Sequence, residues 1–328
     1  MSLLPRRNVI LHDCNGNVIA GFWQYGSVSW GNFSLWLNPL IQTEQQWAVF
    51  DFDETSPNRH GGQRSLDSDI VPPGDYILLR EDGSPIPVTL TEERARIRQP
   101  THSDTPARVS PPPLTHRMMS KSKTQREHYR NRTRERDGKC LITGQRFATW
   151  TALRAAHIFP RAHVNEWVRK QFHNLITDTA PASDVGGYSK IDSVQNVFLL
   201  RSDLHDMWDN YEFGVNPDDN YRITGFINGL NDVHGLTLHL DHIVNPTIRP
   251  LDELFRDHSL QGVLKHMKGA GEPTWDYEDA FSDGGFDLSR QEIWGSVEGK
   301  ERLELEIFDR LFEHQVAEDL GQGYHISA

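Results

Sequence analysis

Cysteine is scarce in this chain, whose 328 residues contain only Cys14 and Cys140, far apart in the sequence. Two cysteines exclude a multi-disulfide framework and a four-cysteine zinc site. Long apolar runs are also missing, because no window approaches the ~18 residues that a membrane-spanning helix needs. The N-terminus has no apolar stretch long enough for a secretory signal. We therefore expect an intracellular protein with no membrane partner, while the choice between nucleus and cytoplasm is left open.

Positive charge is in deficit overall, with 34 Lys and Arg against 46 Asp and Glu. The deficit is uneven, since residues 115–228 carry 17 basic and 13 acidic side chains and residues 229–328 carry 8 and 20. Residues 117–139 alone hold nine Lys and Arg and only three acids. This segment is the part of the chain best suited to attract a polyanion. A solvated basic helix face would have the same composition.

Local composition divides the chain into four segments. Residues 1–98 are predicted to form a small β-rich domain, because short apolar runs alternate with turns and Asn15-Gly16 is a strong hairpin signal. Residues 99–114 contain five prolines and are predicted to be a linker. Residues 115–228 begin with the basic helix-forming segment, and residues 229–328 are predicted to be an acidic, largely helical region.

Polar residues that could take part in catalysis flank two apolar segments in the middle of the chain. The first ends in Arg154-Ala-Ala-His157-Ile-Phe-Pro160. The second, Val197–Leu200, directly follows Asn196 and is a candidate for a buried strand. A lone histidine at the end of an apolar strand is more often structural than catalytic, so His157 gains meaning only from its surroundings.

A short helix is predicted after the second apolar segment, with Ser202 or Asp203 as its N-cap. His205 and Asp209 lie four residues apart on that helix and therefore project from the same face. An imidazole and a carboxylate one turn apart can hold one divalent cation. The carboxylate suits Mg²⁺ or Mn²⁺, and the imidazole also admits Zn²⁺. Taken alone, such a pair is more often an exposed salt bridge.

In combination these motifs resemble the HNH endonuclease family, whose core is the ββα-metal finger. The similarity is strongest to a branch, seen in fungal and bacterial predicted proteins, with an Ala-His-Ile-x-Pro motif and a later His-x-x-x-Asp motif. The order His157, Asn196, His205 fits the family. The resemblance covers residues 115–228. It implies an α+β chain in which a ββα-metal nuclease domain lies between an N-terminal β-rich domain and an acidic, mainly helical C-terminal region.

The resemblance also implies a role for each matched residue. His157 would be the general base that activates water, and Asn196 would orient the loop that holds it. His205 and Asp209 would bind one divalent metal ion, with Mg²⁺ or Mn²⁺ favoured and Zn²⁺ admitted. Many members carry a further ligand directly before the base, where this chain has Ala156. The implied reaction is hydrolysis of phosphodiester bonds in DNA, with RNA the less favoured substrate.

Basic residues near these motifs are predicted to contact the phosphates of the nucleic acid. They are Arg154, Arg161, Lys121, Lys123, Arg126, Arg130 and Arg134. Two alternatives stay open: a catalytically inactive HNH-fold module that binds nucleic acid or protein, and a nuclease whose acidic C-terminal region occupies the basic groove. Whether the chain forms a homodimer is left open as well.

Overall fold

A computed structural model describes residues 7–56, 59–96 and 116–271, and for residues 116–126 it describes the backbone alone. The predicted linker and the predicted acidic helices beyond residue 271 lie outside these ranges. Within them, no helix is long and apolar enough to cross a membrane. The strands and helices are β1 Val9–His12, β2 Val18–Phe22, α1 Trp30–Leu37, β3 Ile41–Gln42, β4 Ala48–Phe52, β5 His60–Arg64, β6 Gly74–Leu79, β7 Thr89–Leu90, α2 His116–Asp137, β8 Leu153–His157, α3 Val164–Arg169, α4 Ala182–Val185, β9 Val197–Arg201, α5 Ser202–Asp209, β10 Phe213–Asn216, β11 Arg222–Gly225 and α6 Asp252–Gly262.

The N-terminal part of the chain builds a five-stranded sheet with the strand order β2-β1-β6-β4-β5. The predicted hairpin is confirmed, because β1 pairs antiparallel with β2 and Gly16 adopts a φ of +86° in the turn between them. β6 pairs parallel to β1 and antiparallel to β4, so it forms the centre of the sheet. Val9, Leu11 and Leu78 are completely buried in the core that this sheet supports.

Helix α1 was not expected in a β-rich segment. It begins after Ser29, whose hydroxyl accepts a hydrogen bond from the backbone N–H of Asn32 at 3.2 Å. The helix contains glycine and asparagine, which have low helix propensity, so propensity does not reveal it. Trp30, Phe33 and Leu37 recur at helical spacing and are buried in the core of the sheet. Tertiary burial of one face therefore stabilises α1.

The predicted ββα order is present in the middle of the chain. β8 and β9 pair antiparallel, with His157 opposite Val197, and α5 follows β9 without an intervening loop. Helix α5 packs against both strands, and Leu204 and Trp208 are its buried residues. Helix α2 packs against the same two strands. The predicted α+β class and the ββα unit within it are therefore observed.

The start of α5 differs from the prediction by one residue. Its N-cap is Arg201, which makes no side-chain capping bond, and neither Ser202 nor Asp203 caps the helix. The Asp203 carboxylate instead pairs with the Arg201 guanidinium at 2.6 Å. An acidic residue in the first turn still favours the helix dipole, which explains why the sequence signal for a helix was correct although the cap was not.

The core of the ββα unit continues beyond residue 228. Leu230, Val233 and Phe255 belong to the same buried cluster as Trp208. Residues 226–251 contain no helix or strand, and α6 continues into a short π-helix, Val263–Met267, that packs into the core of the N-terminal sheet. The predicted division at residues 98, 114 and 228 stays a prediction, but the C-terminal part of the described chain contributes to both cores.

Candidate active site

His157 occupies the last position of β8, where its ring is held from two sides. Its Nε2 lies 3.1 Å from the Asp192 Oδ1, and Tyr129 of α2 packs edge-on against the imidazole at a centroid distance of 4.8 Å. The His157 carbonyl accepts a hydrogen bond from the Trp208 indole at 3.0 Å. The side chain is 12% exposed, so the ring is ordered by its neighbours and yet reaches solvent.

Asn196 holds the chain directly after His157. The Asn196 Oδ1 accepts a hydrogen bond from the Phe159 N–H at 2.8 Å, and its Nδ2 donates to the carbonyls of Phe159 and Ile191 at 3.0 and 2.9 Å. Its own carbonyl accepts from the Ile158 N–H at 2.8 Å. The side chain is fully buried, and a buried amide is stable only when such partners are present. Asn196 thus ties the end of β8 to the segment that precedes β9.

His205 and Asp209 share one face of α5, as the four-residue spacing requires. The His205 Nδ1 lies 3.3 Å from the Asp209 Oδ2. Each residue follows one of the buried anchors of the helix, Leu204 and Trp208, so the pair lies at the border between the core-facing side of α5 and solvent. Their side chains are 25% and 29% exposed.

The donor atoms of this pair fit a divalent cation only in part. One imidazole nitrogen and one carboxylate oxygen are suitable ligands, and their exposure leaves room for water in the remaining positions. Among the described residues, no group of three or more His, Cys, Asp or Glu side chains could hold a metal ion. Ala156, at the position of the extra family ligand, is fully buried and offers no donor. Water and substrate oxygens would have to complete the coordination.

Three of the predicted phosphate contacts form a positive cluster beside β8. Arg130 and Arg134 lie on α2, which packs against the strand that carries Arg154. Burial and the positive charges of Arg130 and Arg154 lower the pKa of Arg134. The Arg134 guanidinium lies over the Trp150 ring at 5.3 Å. Like charges are held close together here, an arrangement that a bound phosphate would relieve.

The other predicted contacts have different surroundings. The Arg161 Nε lies 3.3 Å from the Asp192 Oδ1, so this guanidinium is part of the His157 site. Lys121, Lys123 and Arg126 fall in the first half of α2, where the side chains lie outside the described residues.

Two further arginines of the basic segment have structural partners. Arg132 binds the buried Asp178 at 2.7 Å. Arg136 donates to the carbonyls of Ile248 and Val197 at 2.8 and 2.7 Å. The charge of the segment is therefore divided between the core and the surface.

Asp192 is the functional candidate that the sequence motifs did not reveal. It lies four residues before Asn196 and contacts His157 across 35 positions of sequence. A single aspartate in a polar stretch carries no periodic signal, so its role could have been suggested only by its short distance from Asn196. Tyr129 was missed for the same reason, because its contact with His157 joins two separate elements.

Of the comparisons with known proteins, one gives a match, and it spans the ββα unit. Neither the curated proteins nor the solved structures contain a match to this chain. Residues 140–216 match the family model HNH_2, described as HNH endonuclease, so this chain carries an HNH-family domain and the resemblance stated above is confirmed.

Proposed function

We propose that this protein is a metal-dependent endonuclease that hydrolyses phosphodiester bonds, with DNA as the favoured substrate and an intracellular place of action. The observation that carries the proposal is the joint placement of His157 and the His205/Asp209 pair on two elements that pack together, β8 and α5. Trp208 lies between His205 and Asp209 in the sequence. Its indole N–H donates a hydrogen bond to the His157 carbonyl. The family match is consistent with nuclease activity in general.

Each residue of the candidate site would have its own role in the hydrolysis. Neutral His157 accepts a proton from the water that attacks the scissile phosphorus. Asn196 keeps the residues after His157 in place, which preserves the distance between the base and the substrate. His205 and Asp209 would hold a divalent cation, which when bound neutralises charge on the phosphate and at the leaving oxygen. Mg²⁺ or Mn²⁺ is favoured by the carboxylate, and Zn²⁺ is admitted by the imidazole.

Arg130, Arg134 and Arg154 would supply the electrostatic part of substrate binding. Contacts to phosphate fix the position of the duplex but carry no sequence information, so we expect little sequence preference from this cluster alone. Such binding weakens with salt, and about six to ten phosphate contacts cost ~10³–10⁵ in affinity between about 50 and 200 mM salt.

The test is cleavage of plasmid DNA, and of an RNA of matched length, by the wild-type protein and by His157→Ala in Mg²⁺ or Mn²⁺. We expect the variant to lose at least ~10²-fold in rate while it still binds DNA. His128→Ala is the matched control, because the His128 ring pairs with Asp184 at 2.9 Å on the neighbouring helix. Absence of cleavage with every divalent metal at high protein concentration would contradict the proposal and favour an inactive binding module.

A further inference from the structure

Asp192 is a carboxylate in an unusual setting. Its side chain is completely buried, and its Oδ1 faces both the His157 Nε2 at 3.1 Å and the Arg161 Nε at 3.3 Å. Its Oδ2 is buried without a hydrogen-bond partner. A buried carboxylate with one unsatisfied oxygen costs stability, so its presence beside the predicted base requires an explanation.

The His157 Nε2 and the Arg161 Nε meet at the Asp192 Oδ1, and this arrangement determines which nitrogen of the His157 ring carries the hydrogen. An arginine Nε–H can only donate, and a carboxylate that accepts from it remains an acceptor for the imidazole too. The His157 Nε2 must then carry the hydrogen that points to Asp192. In the neutral ring the lone pair lies on Nδ1. Among the described residues, no side chain or backbone group forms a hydrogen bond with this Nδ1.

The backbone around Asp192 is arranged to keep the carboxylate in place. The Asp192 N–H donates to the Val185 carbonyl at 3.0 Å. Gly186 has a φ of +90°, and a Cβ there would lie 3.1 Å from the Asp192 nitrogen and 3.2 Å from its Oδ2. A larger residue would be strained in this conformation and would push the carboxylate away. Glycine at position 186 therefore leaves free the space that the Asp192 carboxylate occupies beside the imidazole.

We propose that Asp192 is a positioning residue that holds His157 in the tautomer with the hydrogen on Nε2, so that Nδ1 is the atom that takes the proton from water. This inference rests on the proposed function. The attacking oxygen forms a bond to phosphorus as the bond from phosphorus to the 3′ oxygen breaks. The proton of the water goes to Nδ1, and the leaving oxygen takes a proton from solvent. The Asp192 Oδ1 keeps accepting the Nε2 hydrogen and stabilises the imidazolium that forms.

The tautomer can be observed directly in the full-length protein labelled with ¹⁵N-histidine. Ring nitrogen shifts distinguish a protonated from an unprotonated nitrogen, and the spectrum of His157→Gln identifies the His157 signals. We expect the wild-type ring to be protonated on Nε2 and unprotonated on Nδ1. Asp192→Ala removes the acceptor, and we expect its His157 signals to move to values averaged between the two tautomers.

The same variants are then compared in cleavage. We expect Asp192→Ala to lower kcat by about 10²-fold with little change in KM. Asp192→Asn retains an acceptor without the charge, so it should keep the tautomer and lose less in kcat. Asp178→Ala is the matched control, because Asp178 is a buried carboxylate that binds Arg132 and Ser193 and does not contact His157. We expect it to lose stability but to retain the tautomer and kcat.

The outcomes separate this inference from the proposed function. A wild-type ring protonated on Nδ1, or an Asp192→Ala variant that keeps both the Nε2 tautomer and kcat, would overturn the inference even if the protein cuts DNA. If the protein cuts nothing but the tautomer depends on Asp192 as expected, the positioning of His157 is supported and the proposed catalytic function is not.

Discussion

The sheet region and the ββα region each use a buried amide to organise a loop, but only one of these amides lies beside candidate catalytic groups. In the sheet region the Gln24 Oε1 accepts from the N–H groups of Gly26, Ser27 and Val28, and its Nε2 donates to two carbonyls, one of them that of Val71. In the ββα region Asn196 makes three side-chain hydrogen bonds to the segments beside His157.

Four of the five residues from 192 to 196 are polar and fully buried, a concentration that the sheet region lacks among its described residues. They are Asp192, Ser193, Gln195 and Asn196. A buried polar group costs about 1–3 kcal/mol when it is not hydrogen-bonded, so four of them within five residues require hydrogen-bond partners for most of their polar atoms. Hydrogen bonding alone does not distinguish a structural amide from a functional one. The titratable groups beside an amide make that distinction, and among these two amides only Asn196 lies beside such candidate catalytic groups.

The largest effect should come from removing the two amides in parallel. Asn196→Ala and Gln24→Ala each delete a buried amide with several hydrogen bonds, and we expect each to lower the free energy of unfolding by about 3 kcal/mol. Only Asn196→Ala should also slow cleavage, by about 10²-fold, because the segment after His157 loses its anchor. Urea unfolding and cleavage rates at a temperature where both variants are folded measure the two effects. Equal losses of activity in both variants would remove the distinction between the regions.

A second comparison uses the histidine–aspartate pairs of the two regions. His12 and Asp75 pair across the sheet at 3.0 Å, much as His205 and Asp209 pair on α5 at 3.3 Å. We expect His205→Ala to weaken Mn²⁺ binding at least ~10-fold, since even the loss of an outer-shell partner costs about 10–100-fold. Asp209→Ala should weaken it less. Calorimetry with Mn²⁺ on these variants and on His12→Ala provides the test, and an unchanged affinity in His205→Ala would show that the pair is only an ion pair.

The contact between the two regions should be sensitive to acid. His234 stacks on Tyr25 at 4.4 Å, its Nε2 faces the Ser27 hydroxyl, and its Nδ1 accepts from the Gly225 N–H at 3.1 Å. Burial, with a smaller contribution from the charge of Arg222, lowers the pKa of His234 from 6.5 to about 4.

The sign of the effect follows from which state binds the proton. Below pH ~6.5 the unfolded chain protonates this histidine while the folded protein does not, so stability is complete above that pH and falls as the pH drops towards about 4. Because the ring is only partly buried, we expect a loss of about 1–2 kcal/mol, less than the full shift would give. Urea unfolding across this pH range should show a weaker dependence in His234→Phe, which keeps the stacking. An identical dependence would exclude His234 as the cause.

The smallest effect concerns the arginine cluster. Arg134→Gln should weaken DNA binding several-fold and reduce the slope of affinity against salt by about one, because one phosphate contact is lost. Arg80→Gln is the control in the sheet region, where the Arg80 guanidinium bonds Gln45 and Ser84. Binding titrations at several salt concentrations compare the two variants. A slope that changes equally in both would mean that only net charge matters.

Much of the candidate site could be predicted because it depends on local spacing. Val197–Leu200 followed by a helix, and His205 one turn before Asp209, follow from the geometry of strand and helix. The hairpin at Asn15-Gly16 is equally local. Asp192 could not be identified, since its meaning comes from a contact with a residue 35 positions away. Helix α1 was missed because burial of its face, and not its propensity, forms it.

The sequence by itself determined which groups are available and in what order, because a strand and the helix after it place neighbouring residues in a fixed relation. It determined the ββα order and the positions of His157, Asn196 and His205. Only the tertiary structure decided which arginines of α2 remain at the surface and which, like Arg136, enter the core. It also decided that Asp192 faces His157. These contacts join separate elements, and their formation depends on how the elements pack and not on any local pattern.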